Sequence, residues 1–128
     1  MWEAYGKKDE AFLNAGTAFR GGIAGFQEGP CGALSGGTLA LGLRQRLSSD
    51  EQESAAAREA VYQEAAALAG DFKEKFGSIT CIGLLGIDLS DAAGMQKARD
   101  MGVFENKCPN HVRYVIEKLY ELESRRAG

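Results

Sequence analysis

Three cysteines and a single histidine are the most chemically informative residues in this chain of 128. Cys31 sits in Pro30-Cys31-Gly32-Ala33-Leu34-Ser35-Gly36-Gly37, Cys81 in Ser78-Ile79-Thr80-Cys81-Ile82, and Cys108 in Lys107-Cys108-Pro109. Each falls where a helix is predicted to start, since proline is favoured at the first helical position and serine at an N-cap. A thiol that only fills a core has no reason to prefer a first turn. A thiolate has one, because a helix N-terminus offers free N–H donors and the positive end of the macrodipole. Three converging thiolates suit zinc, an iron–sulfur cluster or thiol–disulfide exchange. Their separations of 50 and 27 residues match no compact C-x-x-C motif, so spacing identifies no metal. The local environments also order the thiols: Cys31 and Cys108 fast, the latter helped by Lys107, and Cys81 slowed by its apolar run.

His111 follows Cys108 by three residues, on the same helix face and near enough to complete a Cys3His metal site. A surface or half-buried histidine of a first turn is the plainer reading and the one preferred. Gly32 and Gly36 are four apart, so they share a face that lets another backbone or a bulky cofactor approach closely. If that face is a packing seam, Gly36→Leu should cost about 1–3 kcal/mol. Gly21, Gly22 and Gly25 read as a turn between helices, because no G-x-x-x-x-G-K-S/T phosphate pattern accompanies them. Ser35 lacks a G-x-S-x-G context, and the carboxylates lie on solvated helix faces, so neither serine nucleophile nor paired-acid chemistry is indicated.

The elements that must position these residues all read as helices. Tyr5, Phe12, Ala15, Gly16 and Phe19 give a three-to-four spacing, which predicts an amphipathic helix over 2–19. A central helix is predicted from Pro30 to Arg46. Ser48 with Glu51 three residues on reads as a capping box, opening a helix whose apolar face is Val61, Ala65, Leu68, Phe72 and Phe76. Gly77 ends it, Ser78 caps a short helix through Leu85, Ser90 caps another to Met101, and the last begins at Cys108 as N-cap with Pro109 at N1. With no convincing strand, the fold class is all-α: one domain, 1–128, of about six helices around the glycine-rich central one.

Composition bounds the rest. At 45% hydrophobic and 26% charged the chain is ordinary for a globular protein and long enough for a real core. A net charge of −3 and the lack of a basic face argue against nucleic acid. There is no apolar run long enough for a membrane span and no secretory segment, so a cytoplasmic location is expected. An odd cysteine count then fits thiol or metal chemistry better than a disulfide scaffold. A homodimer stays open.

Cys31-Gly32-Ala33-Leu34-Ser35-Gly36, with single cysteines downstream at Cys81 and Cys108, resembles the redox-active protein family named for its C…CGAxxG…C…C pattern. The glycine-rich approach from Phe19 to Gly29, and Phe76-Gly77-Ser78-Ile79-Thr80-Cys81 followed by Leu84-Leu85-Gly86, add to the resemblance, which covers nearly the whole chain. It implies a small bacterial or archaeal protein whose cysteines do redox work or bind a prosthetic group such as an iron–sulfur cluster. The family's first cysteine lies on an upstream helix, whereas this sequence has none before Cys31, and Met1–Tyr5 resembles the later part of that helix. A missing N-terminal segment and a three-thiol member both remain open, with His111 a substitute fourth ligand. Three function classes follow: a thiol or metal redox protein with an unknown redox partner, a helical binding module with structural cysteines, and a zinc-stabilised domain.

Overall fold

The computed structural model describes residues 1, 3–45 and 49–128. Among these the chain forms helices only: α1 (Ala11–Ala15), a 3-10 turn (Thr17–Phe19), α2 (Gly32–Arg44), α3 (Glu51–Phe76), α4 (Cys81–Leu85), α5 (Ala92–Asp100), α6 (Val103–Asn106) and α7 (Cys108–Ala127). The all-α class is as expected.

The framework is α2 packed between α3 and α7. Leu34 and Leu41 of α2, Leu68 and Phe72 of α3, and Val115 and Leu119 of α7 form the main buried core. Val61, Ala65 and Phe76 pack against it as the periodicity predicts. The helices approach closely because α2 presents Gly37, where a Cβ would stand 2.5 Å from Val115 Cγ1 and 3.2 Å from Leu68 Cδ2. The seam glycine is therefore Gly37. Gly36, the residue expected there, is exposed, and a Cβ at that position would have nothing within 4 Å. A smaller core of Leu85, Ile87, Ala98 and Val103 joins α4, α5 and α6.

The helix ends differ from the sequence expectation in instructive ways. The helix predicted over 2–19 is reduced to α1 and the 3-10 turn, neither with a buried residue. Gly6 takes a left-handed φ of 68°, and the Asp9 carboxylate accepts the Ala11 N–H at 2.9 Å, so the chain restarts there; Trp2 lies outside the described residues. Pro30 does not open α2 but pairs with Thr80, leaving Cys31 as the N-cap. α2 ends at Arg44, and the predicted boundary at Arg46 and cap at Ser48 lie outside the described residues. Asp50 is the N-cap of α3, accepting from the Glu53 N–H at 2.9 Å. Thr80 caps α4 and Asp91 caps α5 in place of Ser78 and Ser90. In each case a second polar residue nearer the helix does the capping, a choice that depends on backbone turns the sequence does not display. Gly77 ends α3 in the left-handed conformation, as expected.

Candidate functional site

A short antiparallel crossing builds the site. Pro30 pairs with Thr80; on either side, the Cys31 N–H donates to Ile79 O at 2.6 Å and the Cys81 N–H to Gly29 O at 3.3 Å. From this crossing the chain enters α2 at Cys31 and α4 at Cys81. Cys31 and Cys81 are thus diagonal neighbours at two helix starts. The Thr80 hydroxyl caps α4 by accepting the Gly83 N–H at 3.0 Å, and Ser78 Oγ in turn accepts the Thr80 N–H at 3.1 Å. The third thiol arrives on α7. Lys107, its N-cap, reaches across to donate from Nζ to Leu84 O at 3.0 Å, tying the start of α7 to the end of α4. Cys108 is the first residue of α7 rather than its cap, with Pro109 second. All three half-buried cysteines line one cavity of about 340 Å³.

A strained loop also lines the cavity, through Gly21 and Gly25. Residues Gly21, Gly22, Ile23, Ala24 and Gly25 all have left-handed φ, from 49° to 85°, a full left-handed turn. Each non-glycine in that conformation costs roughly 1–2 kcal/mol, and a β-branched residue such as Ile23 is seldom found there. Hydrogen bonds hold the turn: Ala24 N–H to Ala18 O at 2.7 Å, Gly25 N–H to Arg20 O at 3.1 Å and Gln27 N–H to Gly21 O at 2.9 Å. Gly22 is obligatory, since a Cβ there would meet Gly29 O at 2.7 Å. The glycine-rich stretch is a turn, as expected, but one that also walls the cavity through Gly21 and Gly25. Strain of this kind concentrates at functional sites.

Gln27 is the functional residue that sequence reasoning missed. It is 4% exposed, also left-handed at φ 66°, and its carboxamide is fully engaged. Oε1 accepts the Leu89 N–H at 2.6 Å, while Nε2 donates to Ile87 O at 2.9 Å and points at Cys81 Sγ, 3.8 Å away. Its backbone carbonyl accepts the Ile82 N–H at 2.9 Å, inside the first turn of α4. One side chain therefore locks the strained loop to the segment beyond α4 and touches a thiol. A glutamine in a run of glycines carries no motif, so only the fold could single it out.

Burial pushes the Cys81 thiol above the ordinary value; the Gln27 hydrogen bond opposes this and a charge on Cys31 adds to it. Burial also pushes Cys108 up, charges on Cys31 and Cys81 raise it further, and its own backbone N–H and Lys107 pull the other way without prevailing. The fast Cys108 expected from sequence is corrected on this point: desolvation at the cavity wall outweighs the helix start and the adjacent lysine. These mutual effects place the three sulfurs in one electrostatic neighbourhood, where a second thiolate costs more than the first.

His111 is not brought to the cysteines. It is 4% exposed in the main core, its ring centroid 4.7 Å from that of Phe76 and 5.7 Å from that of Phe72, and it does not line the cavity. Burial, then the nearby Lys107, lowers its pKa below the ordinary 6.5. Gly32 does line the cavity, and a Cβ there would sit 3.1 Å from Phe19 O, so its lack of a side chain serves backbone packing. Gly36 lines only a neighbouring groove. For a single metal ion such as zinc the test is whether the donors converge. Among the described residues no three or more His, Cys, Asp or Glu side chains are grouped closely enough to hold one metal ion. The three thiols line one cavity, and among the described residues they are not drawn together as the ligands of a single ion would be.

Fold and site together define a small all-α protein that gathers three thiols from three helix starts around one cavity. Residues 1–122 match the model of the family described as "Putative redox-active protein (C_GCAxxG_C_C)", and the chain belongs to that family; here the motif runs Cys31-Gly32-Ala33, with the cysteine before the glycine. No curated protein and no solved structure matches the chain. Among the described residues no helix is long and apolar enough to cross a membrane.

Proposed function

We propose that the protein is a dithiol–disulfide redox protein in which Cys31 and Cys81 form the exchanging pair. The observation that carries this reading is the Pro30–Thr80 crossing, which makes the two cysteines diagonal neighbours on one cavity. Diagonal Cα separations across an antiparallel pair are about 7–8 Å, against about 4.4–6.8 Å in a disulfide, so closing the bond asks for a small adjustment. In the reaction, the Cys31 thiolate attacks a disulfide of the partner, forming a mixed disulfide and releasing one partner thiolate. The Cys81 thiolate then attacks the Cys31 sulfur, forming the Cys31–Cys81 disulfide and releasing the second. Two electrons pass from the dithiol to the partner, and the two thiol protons end on its released sulfurs. Cys31 is assigned the first attack because it stands at the N-cap position of a 13-residue helix, whereas burial disfavours the thiolate of both other cysteines. Gln27, donating toward Cys81, steadies that sulfur as its charge develops.

The test is a thiol count on anaerobically purified protein equilibrated with mixtures of oxidised and reduced dithiothreitol, alongside iron and zinc analysis. The reading expects two of the three thiols to disappear together, without bound metal. Stoichiometric iron or zinc that protects all three thiols would overturn it in favour of a metal centre.

A further inference from the structure

The cavity that the cysteines share also has a chemical character of its own. Leu85, Leu89, Met95, Phe104 and Val112 supply apolar walls, and Arg20, an exposed residue, is the one charged residue lining the cavity among the described residues. No carboxylate of these residues lines the cavity, although the chain as a whole carries a net charge of −3. Among the described residues Arg20 makes no ion pair and no side-chain hydrogen bond, in contrast to Arg44, which bonds two glutamates. Its backbone is nonetheless fixed. Its carbonyl accepts the Gly25 N–H at 3.1 Å, and its Cα lies 3.5 Å from where a Cβ of Gly32 would be. An arginine without an ion-pair partner is thereby rooted, by its backbone, at the edge of an apolar, thiol-lined hollow.

Resting on the redox reading above, we propose that the oxidised substrate is a low-molecular-weight disulfide with an apolar body and a carboxylate, the carboxylate held by Arg20 while Cys31 attacks the S–S bond. Size favours a small molecule: about 340 Å³ lies in the range of small-ligand sites. All three sulfurs are half-buried, so an attacked disulfide must enter the cavity, which a cystine held in another folded chain does less readily than a free one. Charge favours a carboxylate, because a lone cation beside low-dielectric walls attracts an anion more strongly than it would in open water. The step balances as before: Cys31 takes one half of the disulfide, Cys81 displaces it, and two carboxylate-bearing thiols leave.

The experiment compares three symmetrical disulfides on reduced protein at low ionic strength: 3,3′-dithiodipropionate (anionic), bis(2-hydroxyethyl) disulfide (neutral) and cystamine (cationic). Each rate is taken relative to the neutral reagent, so that variant effects on the thiols cancel. In Arg20→Gln the anionic-to-neutral ratio should fall roughly three- to tenfold, and the cationic-to-neutral ratio should rise. In the unaltered protein 0.5 M salt should reduce the anionic ratio as well, a readout that needs no variant. Unchanged ratios in both arms, with the neutral disulfide still exchanging, would overturn the substrate class and leave the redox reading standing. No exchange with any of the three would overturn the redox reading and this inference with it.

Discussion

At the scale of single residues, the site turns on how its three thiols are set into the cavity wall. Burial raises Cys81 and Cys108. Alkylation of single-cysteine variants, followed against pH, should therefore show Cys31 reacting first and the other two requiring more alkaline solution. Gln27→Leu removes the donor facing Cys81 Sγ, so the Cys81 profile should move further up while that of Cys108 stays put. An equal shift of both would mean that Gln27 acts only through the fold. His111 supplies a separate pH effect. Its native pKa lies below 6.5 because burial disfavours the cation, so in acid the unfolded chain binds the proton more readily than the native one. Stability from this group is complete above pH 6.5 and drains as pH falls toward the lower native value, by at most about 1.4 kcal/mol per pH unit. Urea midpoints at pH 7.5 and 5.5 should show that loss, and His111→Phe, which keeps a ring against Phe76, should flatten it.

At the scale of elements, hydrophobic periodicity and glycine stops make the long helices legible. Leu68 and Phe72 on α3 are buried as their spacing requires, and Gly77 ends the helix. The α2 seam lies one residue from where the sequence pattern puts it, because a run of small residues from Gly32 to Gly37 looks alike from every face until α7 is docked. The difference is testable. Gly37→Ala should destabilise by about 1–3 kcal/mol, since its methyl meets Val115. Gly36→Ala, in open space mid-helix, should stabilise by about 0.5–1 kcal/mol, as measured by chemical denaturation. Least legible is the left-handed turn at 21–25. Three of its residues are glycines, but Ile23 and Ala24 give no sign of positive φ, which only the surrounding hydrogen bonds impose. The arrival of the three cysteines at helix starts is legible in the sequence, although Pro30 and Ser78, which suggested two of those starts, do not themselves open or cap the helices. Their burial, and the departure of His111 into the core, depend on how α4 and α7 pack.

At the scale of the molecule, α2 separates chemistry from scaffolding. Its first end carries Cys31, and its last residue, Arg44, bonds Glu64 of α3 and Glu123 of α7, with Arg126 also on Glu64. The Arg44 side chain is 8% exposed and its carboxylate partners are 19% and 36% exposed, so removing it leaves partly buried charges unmatched. Arg44→Met should lower stability by about 1–3 kcal/mol, less than a fully buried pair because the glutamates keep some solvent. In folded protein its thiol exchange rate should match that of the unaltered chain, which stopped-flow mixing with a neutral disulfide would check. The most direct test of the whole account is to locate the bond itself. Reduced protein is mixed with a small excess of disulfide, quenched in acid, digested and mapped by mass spectrometry. A dominant Cys31–Cys81 linkage, with Cys108 recovered as the free thiol, is the expected result. A majority linkage through Cys108, or mixed disulfides that never resolve within the chain, would contradict the pairing drawn from the Pro30–Thr80 crossing.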